Sequence, residues 1–556
     1  MAQVLYNRGY TNPEDAVRFL KADDLLSGAF LTHKRGRDAH IDRAVSRIRA
    51  AIARKERIIV YGDFDADGVT STVLLVEALS SLGANVTPYI PHRVDEGYGL
   101  NGDALLKLSR EGAKLVITVD CGIRSVEEVE EGKAFGLDII ITDHHSLGPE
   151  IPNAFAVINP KMIDSQYSEP MLAGVGVAYR LAEALMTVNS RFSKNGDHRP
   201  PLDPDYLLDL VAIGTVADLA PMNSIENRAL VRRGLAIINA NKRLGINALI
   251  DVAQLKNGAI RSESIGFGIG PRINAAGRLA SAMEAYHLLS SADEKKAIEL
   301  AQMLQNLNVQ RQELTRQAQE TIRLQLEEHG ETDTPLIFAS HASFQPGIVG
   351  LVAGRLTEEF YRPAVVMEEG AHESRASCRS IPQFDITSAL DQCAGLLVRH
   401  GGHAQAAGFT VLNENIGALR SQLTDIARET LAGQELRPTL DIDAELDPAW
   451  LSLNVAEELL ELEPTGHGNP PPLFMTRGLR VIDVRTVGKD DKHLKLKLAR
   501  PGLPPVDGIG FHMGEWAGKM PNCIDVAYQL EINEWNGNRT VQLNLQDLRA
   551  AGENAE

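Results

Sequence analysis

A chain of 556 residues is too long for one hydrophobic core, so three or four domains are expected. Its apolar content of 44% and charged content of 23% are those of a soluble globular protein, and 56 basic against 74 acidic residues leave a net charge of −18. That balance excludes a partnership with nucleic acid through bulk charge, though not through a local basic groove, and bound divalent cations would cancel part of it. The four cysteines (Cys121, Cys378, Cys393, Cys523) form no C-x-x-C pair, which excludes a zinc knuckle and points to reduced thiols. The N-terminus has no signal-peptide apolar region, and no run approaches the roughly 18 apolar residues of a membrane span. A cytoplasmic protein with no membrane partner is expected.

In chain order, residues 1–50 read as a helical segment, with a helix start at Asn12-Pro13-Glu14-Asp15 and an amphipathic helix from His40 to Ala53. Residues 51–285 alternate strand-like and helix-like runs: Ile58 to Tyr61, Val69 to Leu82, Asn85 to Ile90, Ala104 to Glu111, Leu115 to Val119, Val126 to Phe135 and Ile139 to Thr142. The alternation predicts a largely parallel sheet covered on both faces. Ser190 to Pro204 reads as a surface loop. Within residues 286–332, Ser291 to Glu328 has almost no Gly or Pro and a sparse apolar stripe, which suits a long helix bridging two domains or a coiled-coil dimerisation helix. Residues 333–436 read as a second, smaller α/β unit. Residues 437–556 hold five strand-like runs, Leu473 to Val487, His493 to Ala499, Val506 to Phe511, Ile524 to Glu534 and Thr540 to Arg549, with a turn at Asn536-Gly537. They predict a small barrel of OB type.

Polar groups follow four apolar segments. Arg57 to Tyr61 runs into Gly62-Asp63-Phe64-Asp65-Ala66-Asp67-Gly68, Lys114 to Val119 ends in Asp120, Leu137 to Ile141 ends in Thr142-Asp143-His144-His145, and Leu210 to Val216 leads to Asp218. Open α/β sheets place ligands at the carboxyl ends of their strands. Asp65, Asp67, Asp120, His144 and Asp218 supply mostly hard oxygen ligands plus an imidazole, a set that favours Mn²⁺ or Mg²⁺ over zinc. The carboxylates suffice for two ions about 3.5–4 Å apart, a pair that lowers the pKa of bound water towards about 7 and clamps an in-line phosphoryl displacement. Asp63 and Asp143 either ligate or hold a ligand in place. His145 reads as a general acid, as a charge facing a phosphate, or as a neutral structural histidine.

Asp-Phe-Asp-Ala-Asp-Gly (63–68), Val-Asp-Cys-Gly (119–122), Asp-His-His (143–145) and Gly-Thr-Val-Ala-Asp-Leu-Ala (214–220) resemble the four motifs of the DHH phosphoesterase superfamily. Arg93 to Leu100, Pro271 to Leu279, Gln345 to Ala353, Gly401-Gly402-His403 and Gly466 to Pro470 extend the likeness to its RecJ family of single-strand-specific DNA exonucleases, over about residues 5–550. The resemblance implies a DHH domain, a bridging helix, a DHH-associated domain and an OB-type DNA-binding barrel. It implies metal ligation by Asp65, Asp67, Asp120, His144 and Asp218, with His145 facing the scissile phosphate. It further implies processive 5′→3′ degradation of single-stranded DNA in repair and recombination, with a single-strand binding protein or a helicase as partners. A monomer is expected. The alternatives are a small-substrate relative (a pyrophosphatase or oligonucleotide phosphodiesterase), which lacks the barrel, and a non-catalytic DNA-binding scaffold, which loses the ligands.

A nuclease that grips a strand needs phosphate contacts. Arg272 and Arg278 flank a Gly-containing segment, and Arg375 and Arg379 flank Ser377 near Gly401-Gly402-His403, read as a loop. Guanidinium forks beside Gly-rich turns make phosphate cradles, although each arginine also suits a surface ion pair. Tyr98 is a candidate for base stacking or a simple turn tyrosine. Lys489, Lys492, Lys495 and Lys497 make a basic stripe on the barrel or a solvated strand face.

Overall fold

The computed structural model describes residues 1–22, 39–93, 95–163, 165, 170–192, 202–330, 333–500, 502–535 and 537–552. The first sheet consists of β1 (Arg57–Tyr61), β2 (Asn85–Tyr89), β3 (Ala113–Val119), β4 (Asp138–Thr142) and β5 (Ala156–Ile158) in the order β2-β1-β3-β4-β5. Every pairing is parallel. The strands are rich in Ile and Val because both faces are covered. Ile58, Val60, Ile117 and Ile140 join one core, while Ile59, Tyr61, Val116 and Ile139 join the other. The order reverses between β1 and β3, and at that switch point the strand ends diverge to leave a crevice. The expected loop at 190–204 lies largely outside the described residues, as does Asn536 of the expected turn.

The segment before Asp218 is the helix Leu208–Ala217, buried on every side from Leu208 to Val216. A helix that is apolar all round can only be a core helix. The long helix spans Glu294–His329 and ends on Gly330 at φ 65°. Its Ala297, Ala301 and Leu304 pack into the core of the first sheet, and its Ala318, Ile322 and Leu326 into that of a second. It bridges two domains, as its sparse apolar stripe predicts.

The second sheet contains β6 (Ile337–His341), β7 (Ala364–Glu368), β8 (Glu373–Arg379), β9 (Leu397–His403) and β10 (Ala406–Leu412), in the order β6-β7-β8-β10-β9. Gly401-Gly402-His403 is therefore not a loop but the end of the edge strand β9, paired with β10 from Gly401↔Gly408 to His403↔Ala406. Gly-Gly reads as a turn in sequence, and only the partner strand holds it extended. The C-terminal strands β11 (Ala444–Glu445), β12 (Leu473–Val487), β13 (His493–Arg500), β14 (Leu503–Gly510), β15 (Cys523–Trp535) and β16 (Asn538–Ala550) form one sheet that β12–β15 pairing closes into a barrel. Lys495 and Lys497 alternate with buried Leu494, Leu496 and Leu498, which puts both lysines on the outer face of β13. Among the described residues, no helix is long and apolar enough to cross a membrane.

A second sequence expectation changes. The residues before 50 do not form a single segment. Ala39–Ala53 packs into the first domain, whereas Val4, Leu5 and Phe19 belong to the core of the C-terminal barrel. The chain thus opens and closes in the same core, since two short helices bury too little apolar surface to stand alone. Arg8 fixes the junction through a fork on Asp443 at 2.7 and 2.8 Å.

A second arginine ties this unit to the first domain. Arg228, fully buried, donates to the carbonyls of Phe19, Glu461, Leu462, Glu463 and Pro464 and lies 3.9 Å over the Phe19 ring. Arg228→Ala strands those carbonyls in a dry interface and is expected to cost about 3 kcal/mol or more. Denaturant titration followed by intrinsic fluorescence measures it. A midpoint unchanged from the parent contradicts this role.

Candidate metal centre

The acids meet where the topology predicts, at the crevice between β1 and β3. β1 ends at Tyr61 and the chain turns through Asp63 into the helix Ala66–Ser81, with Asp65 as its N-cap. The Asp65 carboxylate accepts from the N–H groups of Asp67 and Gly68 at 2.9 and 3.1 Å, so one oxygen is committed to the cap. Asp67, in the first turn of the same helix, accepts from the N–H groups of Gly174 and Val175 at 2.7 and 2.8 Å. β3 delivers Asp120, whose φ of 62° turns its carboxylate out of the strand direction. A Cβ on Gly174 would lie 2.6 Å from the Asp120 Cβ, so only glycine allows this close approach. β4 delivers the two histidines, and the helix Leu208–Ala217 delivers Asp218 as its C-cap.

His144 Nε2 lies 3.1 Å from Asp120 Oδ1, 3.7 Å from Asp218 Oδ2 and 3.9 Å from Asp67 Oδ2. Three groupings have ligand atoms mutually within 4.8 Å: Asp67, His144 and Asp218; Asp63, Asp65 and Asp120; and Asp120, His144 and His145. Asp120 stands in two of them. Asp63 Oδ1, Asp120 Oδ1 and His144 Nε2 are buried without a hydrogen-bond partner. Buried lone pairs left open and aimed at one another fit a divalent cation, and the donor chemistry fits Mn²⁺ or Mg²⁺.

The electrostatics agree. Burial, reinforced by the neighbouring carboxylates, pushes Asp63, Asp67 and Asp120 well above the usual carboxylate range. Asp218 is pushed up to about 7 by burial and by Asp65. Burial and the adjacent His145 lower His144 to about 3, so its ring stays neutral, the state a metal ligand needs. Asp143 behaves differently. Its carboxylate accepts from Ile123, His144 and His145 N–H groups and from the His145 ring at 2.7 Å. With its lone pairs thus occupied, it positions His145 rather than adding a free ligand. Burial opposes a charge on His145, but the Asp143 carboxylate outweighs it and raises the imidazole above its ordinary value.

Tyr98 is more than half exposed, with its hydroxyl 3.2 Å from the His145 ring and 3.4 Å from the Asp120 carbonyl. It stands at the mouth of the centre. Arg278 donates to the Gly347 carbonyl at 2.9 Å, and a Cβ on Gly350 would lie 2.9 Å from Ser377 Oγ and 3.4 Å from Arg379 Nη2. Arg278, Ser377 and Arg379 therefore gather at the N-terminus of the helix Val349–Phe360, an anion-binding arrangement. Burial and the guanidiniums of Arg93 and Arg311 push Arg278 down to about 10. Arg375 and Gly401 instead line a groove with Arg399 and His400, and Gly402 and His403 are exposed at the end of β9. Arg272 donates to the Gly268 carbonyl at 2.6 Å and keeps a buried, unpartnered Nε.

Sequence reasoning missed Arg93, Lys161 and Asn274. Arg93 lies over the Phe64 ring at 3.9 Å facing Asp63 and Asp65, Lys161 faces Asp143 and Asp218, and Asn274 holds the Ala66 N–H at 2.8 Å. Arg93 and Asn274 fall within stretches that carry the resemblance, a usable signal. Nothing around Lys161 gave one.

The raised carboxyls fix a pH dependence. A group that holds its proton more tightly when folded stabilises the metal-free fold at low pH. That contribution is lost as pH rises from the usual carboxylate range to the folded values, about 7 for Asp218. The rise in melting temperature on adding Mn²⁺ is therefore expected to be larger at pH 8 than at pH 5.5. Scanning fluorimetry at both values checks it, and equal shifts would contradict the assignment.

Three family models match the chain: the DHH family N-terminal domain over residues 57–215, the DHHA1 domain over 333–429 and the RecJ OB domain over 442–547. The single-stranded-DNA-specific exonuclease RecJ of Dickeya dadantii is 38% identical over 91% of this chain and 90% of its own length. The crystal structure of RecJ in complex with Mn²⁺ from Thermus thermophilus aligns with a TM-score of 0.82 at 31% identity, covering 99% of this chain and 75% of that one. Its Mg²⁺ complex aligns at a TM-score of 0.76 and 30% identity, covering 99% and 74%. With the three domains in family order around a crevice suited to these ions, the chain belongs to the RecJ family of single-stranded-DNA-specific exonucleases.

Proposed function

We infer that this chain is a Mn²⁺- or Mg²⁺-dependent exonuclease that hydrolyses the phosphodiester bonds of single-stranded DNA, releasing nucleotides in repair and recombination. The observation that carries the reading is the convergence of Asp63, Asp65, Asp67, Asp120, His144 and Asp218 on one crevice in a chain that also carries a closed barrel. A scaffold without catalysis has no use for that cluster of open lone pairs, and a small-substrate enzyme has none for the barrel.

Divalent ions in such a site supply Lewis-acid stabilisation and an activated water. The residues do the remaining work. Asp65, Asp67, Asp120, His144 and Asp218 are proposed as the residues that would hold the ions, with Asp63 completing the acid set. Asp143 holds His145 Nδ1, and the other ring nitrogen, 3.3 Å from the Tyr98 hydroxyl, is proposed to face the scissile phosphate or the leaving oxygen. Backbone N–H groups of Gly174 and Val175 keep Asp67 in place. Arg278, Ser377 and Arg379 are proposed to hold a terminal 5′-phosphate, which makes attack run 5′→3′. Arg272, Arg375, Gly401, Gly402, His403 and Tyr98 are proposed to contact the strand further along. The domains are proposed as residues 51–285, 286–332, 333–436 and 437–556, with the first 22 residues grouped with the barrel. A monomer acting in the cytoplasm with a single-strand binding protein or a helicase fits this reading.

Asp120→Ala is expected to lower turnover of a single-stranded oligonucleotide about a thousandfold, or about 4 kcal/mol of transition-state stabilisation. Retained activity in the folded variant sinks the site assignment. With substrates labelled at one end or the other, the label is expected to leave first from the 5′ end. Arg379→Ala should weaken binding of a 5′-phosphorylated strand about tenfold and leave a 5′-hydroxyl strand nearly unaffected, the scale of one charge-assisted hydrogen bond. Equal losses on both would remove Arg379 from the terminal pocket.

A further inference from the structure

Just before the helix Gly270–Leu279, residues Ser264–Ile269 wind into a π-helical turn. Such turns carry an irregular hydrogen-bond ladder and are frequent at functional sites. Phe267 sits on it between Gly266 and Gly268 and is 83% exposed. A single exposed apolar side chain ordinarily means nothing, but the placement of this one does. A Cβ on Gly266 would lie 3.9 Å from Val216 Cγ1, and one on Gly270 would lie 3.4 Å from Ala217 Cβ. The turn therefore rests on the end of the helix whose next residue is Asp218. Leu219 follows with φ 58° and 70% exposure, a second apolar side chain projected from the same corner.

The turn is continuous with two further features. Arg272 donates to the carbonyl of Gly268, the residue after Phe267, so its guanidinium is tied to the same turn. Towards the barrel, Ser262 Oγ donates to Glu463 Oε2 at 3.0 Å, and Lys256 pairs with Glu534 of β15 at 2.9 Å. Phe267 thus occupies the ground between the barrel and the metal centre. It offers a bare π-face where a strand crossing from one to the other has its bases unpaired. Aromatic stacking is tolerant of sequence because every base has a π-face.

We propose that Phe267, with Leu219 beside it, is a stacking platform for a nucleobase of the incoming strand, positioning the backbone against Arg272 and the metal centre. The proposal rests on single-stranded DNA being the substrate. Phe267 acts on positioning rather than on the chemistry.

The test compares the parent protein, Phe267→Ala and Phe267→Trp on a 5′-phosphorylated oligothymidylate with Mn²⁺, and on the same strand with one abasic site stepped along it. Phe267→Ala is expected to lose about tenfold in kcat/KM, the size of one base–aromatic stack, while Phe267→Trp keeps the parent value. One abasic position should cost the parent a similar factor and cost Phe267→Ala nothing more, because the same contact is already gone. The rise in melting temperature with Mn²⁺ should be the same in all three proteins. Oligonucleotide turnover by Phe267→Ala within twofold of the parent overturns the platform, as do abasic and alanine losses that multiply at every position. A diminished Mn²⁺ shift in Phe267→Ala would make its role structural and also overturn it. A parent protein that leaves single strands intact overturns the functional reading itself, a separate failure.

Discussion

The centre depends on mutual repulsion among carboxylates that the fold forces together. Asp63, Asp67 and Asp120 are almost completely buried in one crevice. Each would rather keep a proton than face the others in a low dielectric. What holds them there is backbone: the N-cap at Asp65, the Gly174 and Val175 N–H groups on Asp67, and the left-handed turn at Asp120. A divalent cation relieves the repulsion that these supports sustain, so affinity for the ion and instability without it have the same origin.

The two histidines show how neighbouring residues of one type are separated by their surroundings. His144 points among the acids with Nε2 unpartnered and is kept neutral by burial and by the charge next door. His145 is clamped by Asp143, which accepts four hydrogen bonds and raises the imidazole above its ordinary value. A ring kept neutral and a ring held by a carboxylate therefore stand side by side. Their ring centroids are 4.5 Å apart.

Beyond the crevice, the architecture fixes three cores relative to one another. The long helix threads two of them with separate sets of side chains, Ala297 to Leu304 and Ala318 to Leu326. The barrel is attached by Arg228 and by the turn at Gly466 to Asn469, where Met222 N–H donates to the His467 carbonyl at 2.6 Å. These contacts fix the barrel against the domain that carries the metal centre.

Much of this was legible in the residues. Strand-like runs mark four of the five strands of the first sheet, β5 having gone unread, and abrupt polar ends mark the metal motifs because parallel strands deliver functional groups at one edge. The run from Ser291 to Glu328, almost without Gly or Pro, marks a long helix, bridging or coiled-coil, and five strand-like stretches mark a barrel. Tertiary structure alone decided the rest. Val4, Leu5 and Phe19 join a core more than 400 positions away, Gly401 to His403 becomes a strand because β10 pairs with it, and Arg278, Ser377 and Arg379 meet at a helix end. Local pattern records how a segment buries its own apolar face. Which distant segment supplies the other half of a contact depends on the packing of the whole chain, and no single stretch encodes it.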